Sequence, residues 1–210
     1  MSKRPIPQIS SRKAPKQARS AELVSAILEA AIQVLAQEGA QRFTTARVAQ
    51  RAGVSIGSVY QYFPNKAAIL FRLQSDEWRQ TTDMLRTILE ERQTPALARL
   101  RALVHAFIAS ECEEAGMRVA LGDAAPLYRD APEARAAHAE GKRIFQDFMQ
   151  EVLPDAAAAS RTLACELIVA TLSSVGKDFS ESPRTAADIA AYADAMADMF
   201  CAWLDRMAQG

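Results

Sequence analysis

Residues 43–66, which read FTTARVAQRAGVSIGSVYQYFPNK, constrain the fold of this chain more than any other stretch. Thr44 and Ser55 carry hydroxyl groups of the kind that cap helix N-termini, and each precedes a short helical pattern. Gly53 lies between the two patterns, where a glycine accepts the positive φ that ends a helix. The stretch therefore predicts two short helices joined by a tight turn. Pro64 ends the second helix, and Asn65 can cap a third.

The two short helices have an inner face of small and apolar residues at helical spacing. The inward positions are Val48, Ala49 and Ala52 in the first helix and Val59 and Phe63 in the second. The second helix points its other side chains mostly elsewhere, namely Ile56, Gly57, Ser58, Gln61 and Tyr62. This is the pattern of a helix-turn-helix, whose second helix enters the DNA major groove.

The run TTARVAQRAGVSIGSVYQYFPNKAAIL resembles the DNA-binding segment of the TetR family of bacterial transcriptional regulators. That family pairs a threonine-rich start and a Gly-Val-Ser turn with a Tyr-x-x-Phe recognition helix followed by Asn-Lys. The resemblance covers residues 17–73, and the rest of the chain is similar to the family only in length and helical character.

By this resemblance, two sets of residues have DNA-binding roles. The recognition-helix positions that face base edges are Ser55, Ile56, Gly57, Ser58 and Gln61. The positions that typically hold phosphates, and so position the protein without specifying sequence, are Thr44, Thr45, Tyr60, Tyr62 and Lys66. No arginine lies on the recognition helix, so the commonest guanine contact is missing. Specificity is expected from Gln61, from Ile56 against thymine methyl groups and from DNA shape.

The formal charge of the chain divides between its two parts. Residues 1–66 hold ten Lys and Arg residues against three Glu residues, whereas the remaining 144 residues hold fifteen basic residues against twenty-two acidic ones. The parts therefore carry +7 and −7, and a polyanion such as DNA is expected at the first. Residues 1–16 are rich in Pro, Ser and basic residues, which favours a flexible arm. The arm either follows the minor groove or the phosphates, or is an inert tail.

Helical periodicity continues along the rest of the sequence, with no strand-like alternation and no internal repeat. We predict an all-α fold of about nine helices, with a three-helix head at residues 17–66. A helix over residues 17–38, ended by Gly39, completes that head. A larger helical bundle at residues 67–210 follows, and a long helix from residue 66 to about residue 92 joins the two. The resemblance assigns effector binding and dimerisation to this bundle.

The last two helices carry apolar stripes that suit either the core of one chain or a helical dimer interface. The resemblance implies a homodimer formed mainly by these two helices, often as a four-helix bundle. The residues expected at the interface are Ile168, Val175, Ile189, Tyr192, Met196, Phe200 and Trp203.

Two carboxylates, Glu77 and Glu111, fall on apolar helix faces. Because burying an unpaired carboxylate is costly, each should be paired with an arginine such as Arg118, be exposed, or be kept for a ligand. The last alternative predicts an effector pocket for a cationic aromatic molecule. The residues expected to line it are Glu77, Trp78, Phe107, Glu111, Phe145 and Phe148.

Signals for catalysis and for membranes are missing from the sequence. It has no P-loop, GxGxxG, zinc spacing or nucleophile elbow, so neither an enzyme nor a metal site is expected, and no cofactor is implied. His105 and His138 are interpreted as structural. Cys112, Cys165 and Cys201 are widely spaced, which favours reduced thiols in a cytoplasm, as small core residues rather than redox sensors. No apolar run reaches the roughly eighteen residues of a membrane helix.

The predicted function is that of a ligand-responsive regulator that binds a palindromic operator in double-stranded DNA as a homodimer. A repressor released by a small molecule is the preferred form. An activator or an effector-independent DNA binder is the alternative within the same class. An enzyme or a small-molecule carrier that uses the helical bundle is the alternative from another class.

Overall fold

The computed structural model describes residues 8–12, 18–127 and 132–209, and all side chains in these ranges except those of residues 133–138. Within these ranges every regular element is helical, and the all-α fold of about nine helices predicted from the sequence is confirmed. The helices are α1 Ala18–Arg42, α2 Thr45–Arg51, α3 Ile56–Tyr62, α4 Lys66–Leu89, α5 Ala96–Glu113, α6 Ala115–Ala124, α7 Pro132–Val152, α8 Ala158–Ser180 and α9 Ala186–Gln209. A 3₁₀ turn, Ala125–Leu127, follows α6.

The chain divides into two compact units. The first comprises Met1–Trp78 and Gly116–Ala137, and the second comprises Arg79–Ala115 and His138–Gly210. The first unit thus contains α1 to α3, the beginning of α4, most of α6 and the beginning of α7, which is more than the predicted head of residues 17–66. The helix α4 begins in one unit and ends in the other.

The core of the first unit is formed where α1 packs against α2 and α2 against α3. Its buried side chains include Ile27, Val34, Leu35, Phe43, Val48, Val59, Phe63, Ile69, Leu70 and Leu121. Gly39 has a φ of 72° and interrupts the last turns of α1, at the position where the sequence predicts the end of that helix. The long helix α1 thus packs against α2, and α2 in turn packs against α3.

The core of the second unit is formed by α5 against α8 and α9, with α7 contributing aromatic side chains. Its buried residues include Leu100, Leu103, Val104, Ile108, Phe145, Phe148, Met149, Ile168, Leu172, Met196, Phe200 and Leu204. Three residues that the sequence placed at a dimer interface, namely Ile168, Met196 and Phe200, lie in this core.

The outward faces of α8 and α9 carry a different set of large apolar side chains. Leu163, Leu167, Val169 and Met199 are all exposed. The prediction for Ile168, Met196 and Phe200 needs correction because apolar residues occupy both faces of these helices. A single stripe of helical periodicity does not distinguish the face that packs inside one chain from the face that is left outside.

Two helices in the described part of the chain, α1 and α8, are long and apolar enough to cross a membrane by length and composition alone. The mean hydropathy of their most apolar windows is 1.3 and 1.2. These windows admit up to two charged residues, and one or two such helices are weak evidence for a membrane span, because the core helix of a soluble protein passes the same test. Both helices also supply buried side chains to the cores of their units, such as Ile27 and Ile168.

Candidate nucleic-acid interface

Local hydrogen bonds define the start of the two short helices. The Oγ1 atom of Thr44 accepts a hydrogen bond from the backbone N–H of Arg47 at 3.3 Å, and the Oγ atom of Ser55 accepts one from the N–H of Ser58 at 3.0 Å. Both residues have extended backbone conformations and precede the first helical residue. The two N-caps predicted from the sequence are confirmed.

The turn between α2 and α3 is made by Gly53, which has a φ of 67°. The N–H of Gly53 donates to Gln50 O at 3.2 Å, and the N–H of Val54 donates to Ala49 O at 3.0 Å. These are the two bonds of a Schellman motif, which satisfies the last carbonyl groups of a helix. A Cβ atom at Gly53 would meet nothing within 4 Å, so the glycine is required by the backbone conformation and not by space.

The helix α3 presents the predicted base-reading residues on its outer side. Ile56, Gly57 and Gln61 are exposed, as is the N-cap Ser55. Ser58 is half-buried, and its Oγ atom lies 2.8 Å from that of Ser55. The predicted residues are therefore brought together on one short helix, with two of their hydroxyl groups engaged in the cap.

The predicted phosphate-binding residues divide into surface and core positions. Thr44 is exposed, Tyr60 is 39% exposed, and Lys66 is half-buried at the start of α4. Thr45 and Tyr62 are only 8% and 6% exposed, so neither side chain is available to DNA as the resemblance implied. The reason is helical spacing, because Tyr62 follows Val59 by three positions and shares its inward face.

Residues 8–12 lie against the end of the helix-turn-helix and are held there by specific contacts. The side chain of Ile9 is 3% exposed and belongs to the core of the first unit. The Nδ2 atom of Asn65 donates to Gln8 O at 3.0 Å, and the N–H of Arg12 donates to Tyr62 O at 2.8 Å. This differs from the flexible arm expected for residues 1–16, of which residues 1–7 and 13–16 lie outside the described residues. The apolar residue Ile9 is a sequence signal for burial within this segment.

Two arginines of α2 connect that helix to α1. Arg47 forms an ion pair with Glu38 and donates to Arg42 O at 3.4 Å. Arg51 donates to the side-chain oxygen atoms of Gln33 and Gln37. They contribute to an open recess of about 500 Å³, lined by Val34, Glu38, Arg47, Gln50 and Arg51. No local motif of the sequence pointed to these arginines, which place positive charge on the first helix of the helix-turn-helix.

Two residues predicted for an effector pocket lie in the first unit. Glu77 is buried, and its Oε1 atom lies 2.7 Å from Nη1 of Arg118. Its other carboxylate oxygen accepts a hydrogen bond from Nε2 of Gln74 at 2.7 Å. The ring of Trp78 packs edge-on against Phe71, with centroids 6.3 Å apart. Of the alternatives that the sequence left open for Glu77, the structure shows the ion pair with Arg118.

The other predicted pocket residues lie in the second unit, at two places. Phe107 and Glu111 face α8 at Gly176, where a Cβ atom would lie 3.3 Å from Cε1 of Phe107 and 3.4 Å from Cγ of Glu111. Phe145 and Phe148 pack edge-on with ring centroids 6.2 Å apart. A cleft of about 250 Å³ opens beside Phe148 and is lined by Leu89, Glu90, Arg92, Ile144, Asp147, Phe148 and Glu151.

Arg99 is a buried cation that the sequence analysis did not identify. Its side chain is 2% exposed, and its guanidinium group donates to Thr94 O at 3.0 Å, to Leu89 O and to the carboxylate of Glu151. The guanidinium carbon lies 5.4 Å from the centroid of the Phe148 ring. Arg99 therefore connects the end of α4, the start of α5 and α7 beside the cleft.

The groups with potential redox or metal chemistry are separated in the described part of the chain. Cys112, Cys165 and Cys201 are free thiols, and burial raises the pKa of each. His105 Nε2 lies 3.0 Å from a carboxylate oxygen of Asp194. No group of three or more His, Cys, Asp or Glu residues there could hold a metal ion. The side chain of the other histidine, at position 138, lies outside the described residues.

Family models match both parts of the chain. Residues 27–73 match the model described as bacterial regulatory proteins, tetR family, and residues 95–207 match the model described as tetracyclin repressor-like, C-terminal domain. The fatty acid metabolism regulator protein of Bacillus subtilis (strain 168) is 32% identical over 68 residues, which is 32% of this chain and 35% of that protein. The chain thus matches about a third of that curated relative's length.

Solved structures show the same fold. The fatty acid degradation regulator FadR from Bacillus halodurans superposes with a TM-score of 0.67 at 20% identity, covering 90% of this chain and 97% of that one. The transcriptional regulator FadR from Bacillus subtilis, in complex with stearoyl-CoA, gives a TM-score of 0.65 at 16% identity. That superposition covers 84% of this chain and 97% of the other. At these identities the likeness concerns the fold.

Proposed function

The chain belongs to the TetR family of bacterial regulatory proteins, and from this premise we propose that it acts as a homodimeric repressor on a palindromic operator. It is a ligand-responsive, DNA-binding transcriptional regulator by class. The proposal adds that a small molecule releases it from DNA, that it works in the cytoplasm and that it has no catalytic activity. The observation that supports operator binding most strongly is the outer side of α3, where Ile56, Tyr60 and Gln61 are exposed on a capped helix-turn-helix.

In this proposal two groups of residues divide the work of binding DNA. The groups that face base edges are Ser55, Ile56, Gly57, Ser58 and Gln61. The phosphate contacts are Thr44, Tyr60 and Lys66, without the buried Thr45 and Tyr62. The formal charge of +7 on residues 1–66 supports this surface as the one that meets a polyanion.

We place the dimer contact on the outward faces of α8 and α9. Leu163, Leu167 and Met199 are large apolar side chains that one chain leaves exposed. Leu163 and Leu167 lie one turn apart on α8, and neighbouring exposed apolar side chains of this kind support an interaction site. Of the residues expected from the sequence, the half-buried Val175, Ile189, Tyr192 and Trp203 remain compatible with the edge of this interface. Two heads held by such a dimer would read half-sites about 34–36 Å apart, or a multiple of that distance.

Release from the operator requires two conformational states with different head spacing. An effector shifts the population off DNA only if it binds the state that does not fit the operator more tightly than the state that does. The shift can be no larger than this difference in affinity. The helix α4 leads directly from the helix-turn-helix and belongs to both units of the chain, so it is one covalent route by which the two sites would be coupled.

The effector is proposed to occupy the cleft beside Phe148. Leu89, Ile144 and Phe148 provide apolar surface, and Glu90 and Asp147 provide carboxylates beside Arg92, while Glu151 is paired with Arg99. An amphipathic cation with an aromatic group fits this combination, because its charge meets acids and its ring meets Phe148. The proposal keeps Phe148 from the predicted pocket. It does not use Glu77, which is paired with Arg118.

A fatty acyl effector is the second candidate. It is favoured by the names of the relatives, one of which was solved with stearoyl-CoA bound. An acyl-CoA carries negative charge, so it would not gain from the carboxylates of the cleft. The two candidates therefore differ in the sign of the charge that the site prefers.

The DNA-binding part of the proposal is tested by selecting an operator from random duplex DNA with the wild-type protein. Lys66→Ala should weaken binding to all duplexes and lower the slope of log K against log[salt] by about one. Gln61→Ala should change the base preference at particular positions, at about 1–3 kcal/mol for a bidentate contact. If no sequence is enriched, or if Gln61→Ala leaves the preference unchanged, the assignment of the recognition surface is wrong.

The regulatory part is tested with a reporter gene that carries the selected operator at its promoter. Repression means that expression falls when the protein is present, whereas a rise would identify an activator. Tetraphenylphosphonium and stearoyl-CoA then serve as probes of the two effector classes. The measurement is the release of labelled operator from the protein in the presence of each probe. Asp147→Asn should weaken release by the cation severalfold and leave release by the acyl-CoA unchanged. Release by stearoyl-CoA alone would favour the second candidate.

A further inference from the structure

The last carbonyl groups of the recognition helix α3 receive no help from a basic side chain of the helix itself. The helix has seven residues, and its last turn contains no basic side chain. The final carbonyl groups of a helix lack partners within the helix and carry the negative end of its dipole. Here two of these carbonyl groups receive hydrogen bonds from one residue near the N-terminus. The N–H of Arg12 donates to Tyr62 O at 2.8 Å, and its Nη1 donates to Tyr60 O at 3.3 Å.

The segment that carries Arg12 is anchored at two further points. Ile9 is 3% exposed and lies in the hydrophobic cluster that also contains Val59 and Phe63. Gln8 O accepts a hydrogen bond from Nδ2 of Asn65 at 3.0 Å. Residues 8–12 are thus held by an apolar side chain and by hydrogen bonds on both sides of it.

Asn65 links this segment to the next helix as well. Its Oδ1 atom accepts a hydrogen bond from the N–H of Ala68 at 3.0 Å and so caps α4, while its Nδ2 atom holds Gln8 O. The start of α4 carries Lys66, a proposed phosphate contact. The same five residues therefore contact the end of the base-reading helix and the cap of the phosphate-contacting helix.

We propose that residues 8–12 form a strap that fixes the recognition helix, with Arg12 as a positioning residue for operator recognition. The inference rests on the proposed function. A cation at a helix C-terminus is stabilised by the helix dipole, and the bonds from Arg12 restrain the last turn of a helix too short to hold itself. A helix that is already ordered loses less conformational entropy when it binds, so the strap increases affinity for the operator.

A positioning role differs from a phosphate contact in its dependence on sequence and salt. Each phosphate contact contributes to binding of every duplex and adds close to one unit to the salt slope. A residue that orients α3 affects only complexes in which base edges are read. Loss of the strap should therefore reduce the ratio of operator affinity to non-specific affinity, with an unchanged salt slope.

The test uses the full chain, the selected operator and a duplex of equal length with scrambled half-sites. Arg12→Ala keeps the backbone N–H and removes the guanidinium group. It should lower operator affinity about tenfold and leave the affinity for the scrambled duplex and the salt slope unchanged. Arg12→Lys keeps a cation and should restore part of the loss, while Arg12→Pro also removes the N–H and should lose more. Arg143→Ala, at an exposed arginine of α7 in the second unit, is the matched control for loss of one exposed arginine.

Hydrogen exchange without DNA supplies an independent readout. The amides of Gln61, Tyr62 and Phe63 should exchange faster in Arg12→Ala than in the wild type and in Arg143→Ala. If Arg12→Ala loses the same affinity for the operator and for the scrambled duplex, and its salt slope is lower by one, Arg12 is a phosphate contact and the positioning role is overturned. Unchanged exchange, or an unchanged affinity ratio, would overturn the strap. If the wild type prefers no DNA sequence, the proposed function fails, and the exchange experiment still decides whether the strap orders α3.

Discussion

Arg118 and Glu77 form an ion pair in the first unit, with Nη1 of the arginine 2.7 Å from Oε1 of the carboxylate. The two side chains are 17% and 7% exposed. The pair joins α6 to α4, and Gln74 donates a further hydrogen bond to the same carboxylate. Of the three states that the sequence left open for this carboxylate, paired, exposed or kept for a ligand, the structure shows the pair.

Breaking this pair is expected to destabilise the protein. Glu77→Gln removes the carboxylate charge that Nη1 of the largely buried Arg118 contacts, so we expect the free energy of unfolding to fall by about 3 kcal/mol. Urea unfolding followed by circular dichroism measures the change. Asp83→Asn is the matched control on the same helix, because Asp83 pairs with Arg86 at the surface and should cost less than about 1 kcal/mol. Equal effects of the two substitutions would contradict the structural importance of the pair.

The features that could be predicted from the sequence are those made by neighbours in the chain. The caps at Thr44, Ser55 and Asn65 each join a side chain to a backbone N–H three residues later, and Gly53 determines the turn by its own φ. Such contacts join residues that are close together in the sequence, so they can be predicted from the sequence alone. The family and the class of function followed from the resemblance of this local segment, and the all-α fold followed from helical periodicity along the rest of the chain; all three are confirmed.

Contacts between distant residues could not be predicted in the same way. Arg12 and Tyr60 are 48 positions apart, and the sequence around Arg12 gives no reason to choose this partner. Apolar periodicity was also ambiguous in α8, where Ile168 is buried and the adjacent Leu167 is exposed. Which of two apolar faces packs inside the chain depends on the neighbouring helices.

Tyr60 and Tyr62 should respond differently to loss of the phenolic hydroxyl group. Tyr60 is 39% exposed at the proposed DNA surface, whereas Tyr62 is 6% exposed. Tyr60→Phe should weaken binding to operator and scrambled duplexes alike, by about 1 kcal/mol for one lost hydrogen bond. Tyr62→Phe should leave both affinities within about twofold of wild type. Fluorescence anisotropy measures both, and a larger loss for Tyr62→Phe would return that residue to the interface.

Arg99 should contribute strongly to the stability of the second unit. Its guanidinium group donates hydrogen bonds to Leu89 O, Thr94 O and Glu151. Arg99→Met removes these donors and leaves buried acceptors without them. We expect a loss of about 2–4 kcal/mol in the free energy of unfolding. Arg99→Lys should recover less than half, because one ammonium group does not reproduce the planar fork of donors. Arg92→Ala, an exposed arginine nearby in sequence, should stay within about 0.5 kcal/mol in the same denaturant titration.

The thiol of Cys165 should react slowly in the folded protein. Burial raises its pKa, so the thiolate fraction at neutral pH is smaller than in the unfolded chain. The raised pKa favours folding below the ordinary thiol pKa, and this contribution is lost as the pH rises through the raised pKa. Iodoacetamide labelling with mass spectrometry should show Cys165 modified more slowly than Cys112 and Cys201, which are less buried. Equal rates for all three thiols at neutral pH would contradict this order.

The outward and inward faces of α8 and α9 give opposite expectations for a charge placed on each. Leu167 is exposed on the surface of a single chain, so Leu167→Glu should not disturb the fold of that chain. Its circular dichroism spectrum should remain helical, and the midpoint of its urea unfolding should be unchanged. In the proposed dimer it places two carboxylates in an apolar contact and should give a monomer by light scattering at micromolar concentration, with weaker operator binding. Phe200 is buried, so Phe200→Glu should unfold the second unit, at a cost above about 4 kcal/mol. A folded monomer from Phe200→Glu and a stable dimer from Leu167→Glu would return the interface to the residues first expected from the sequence.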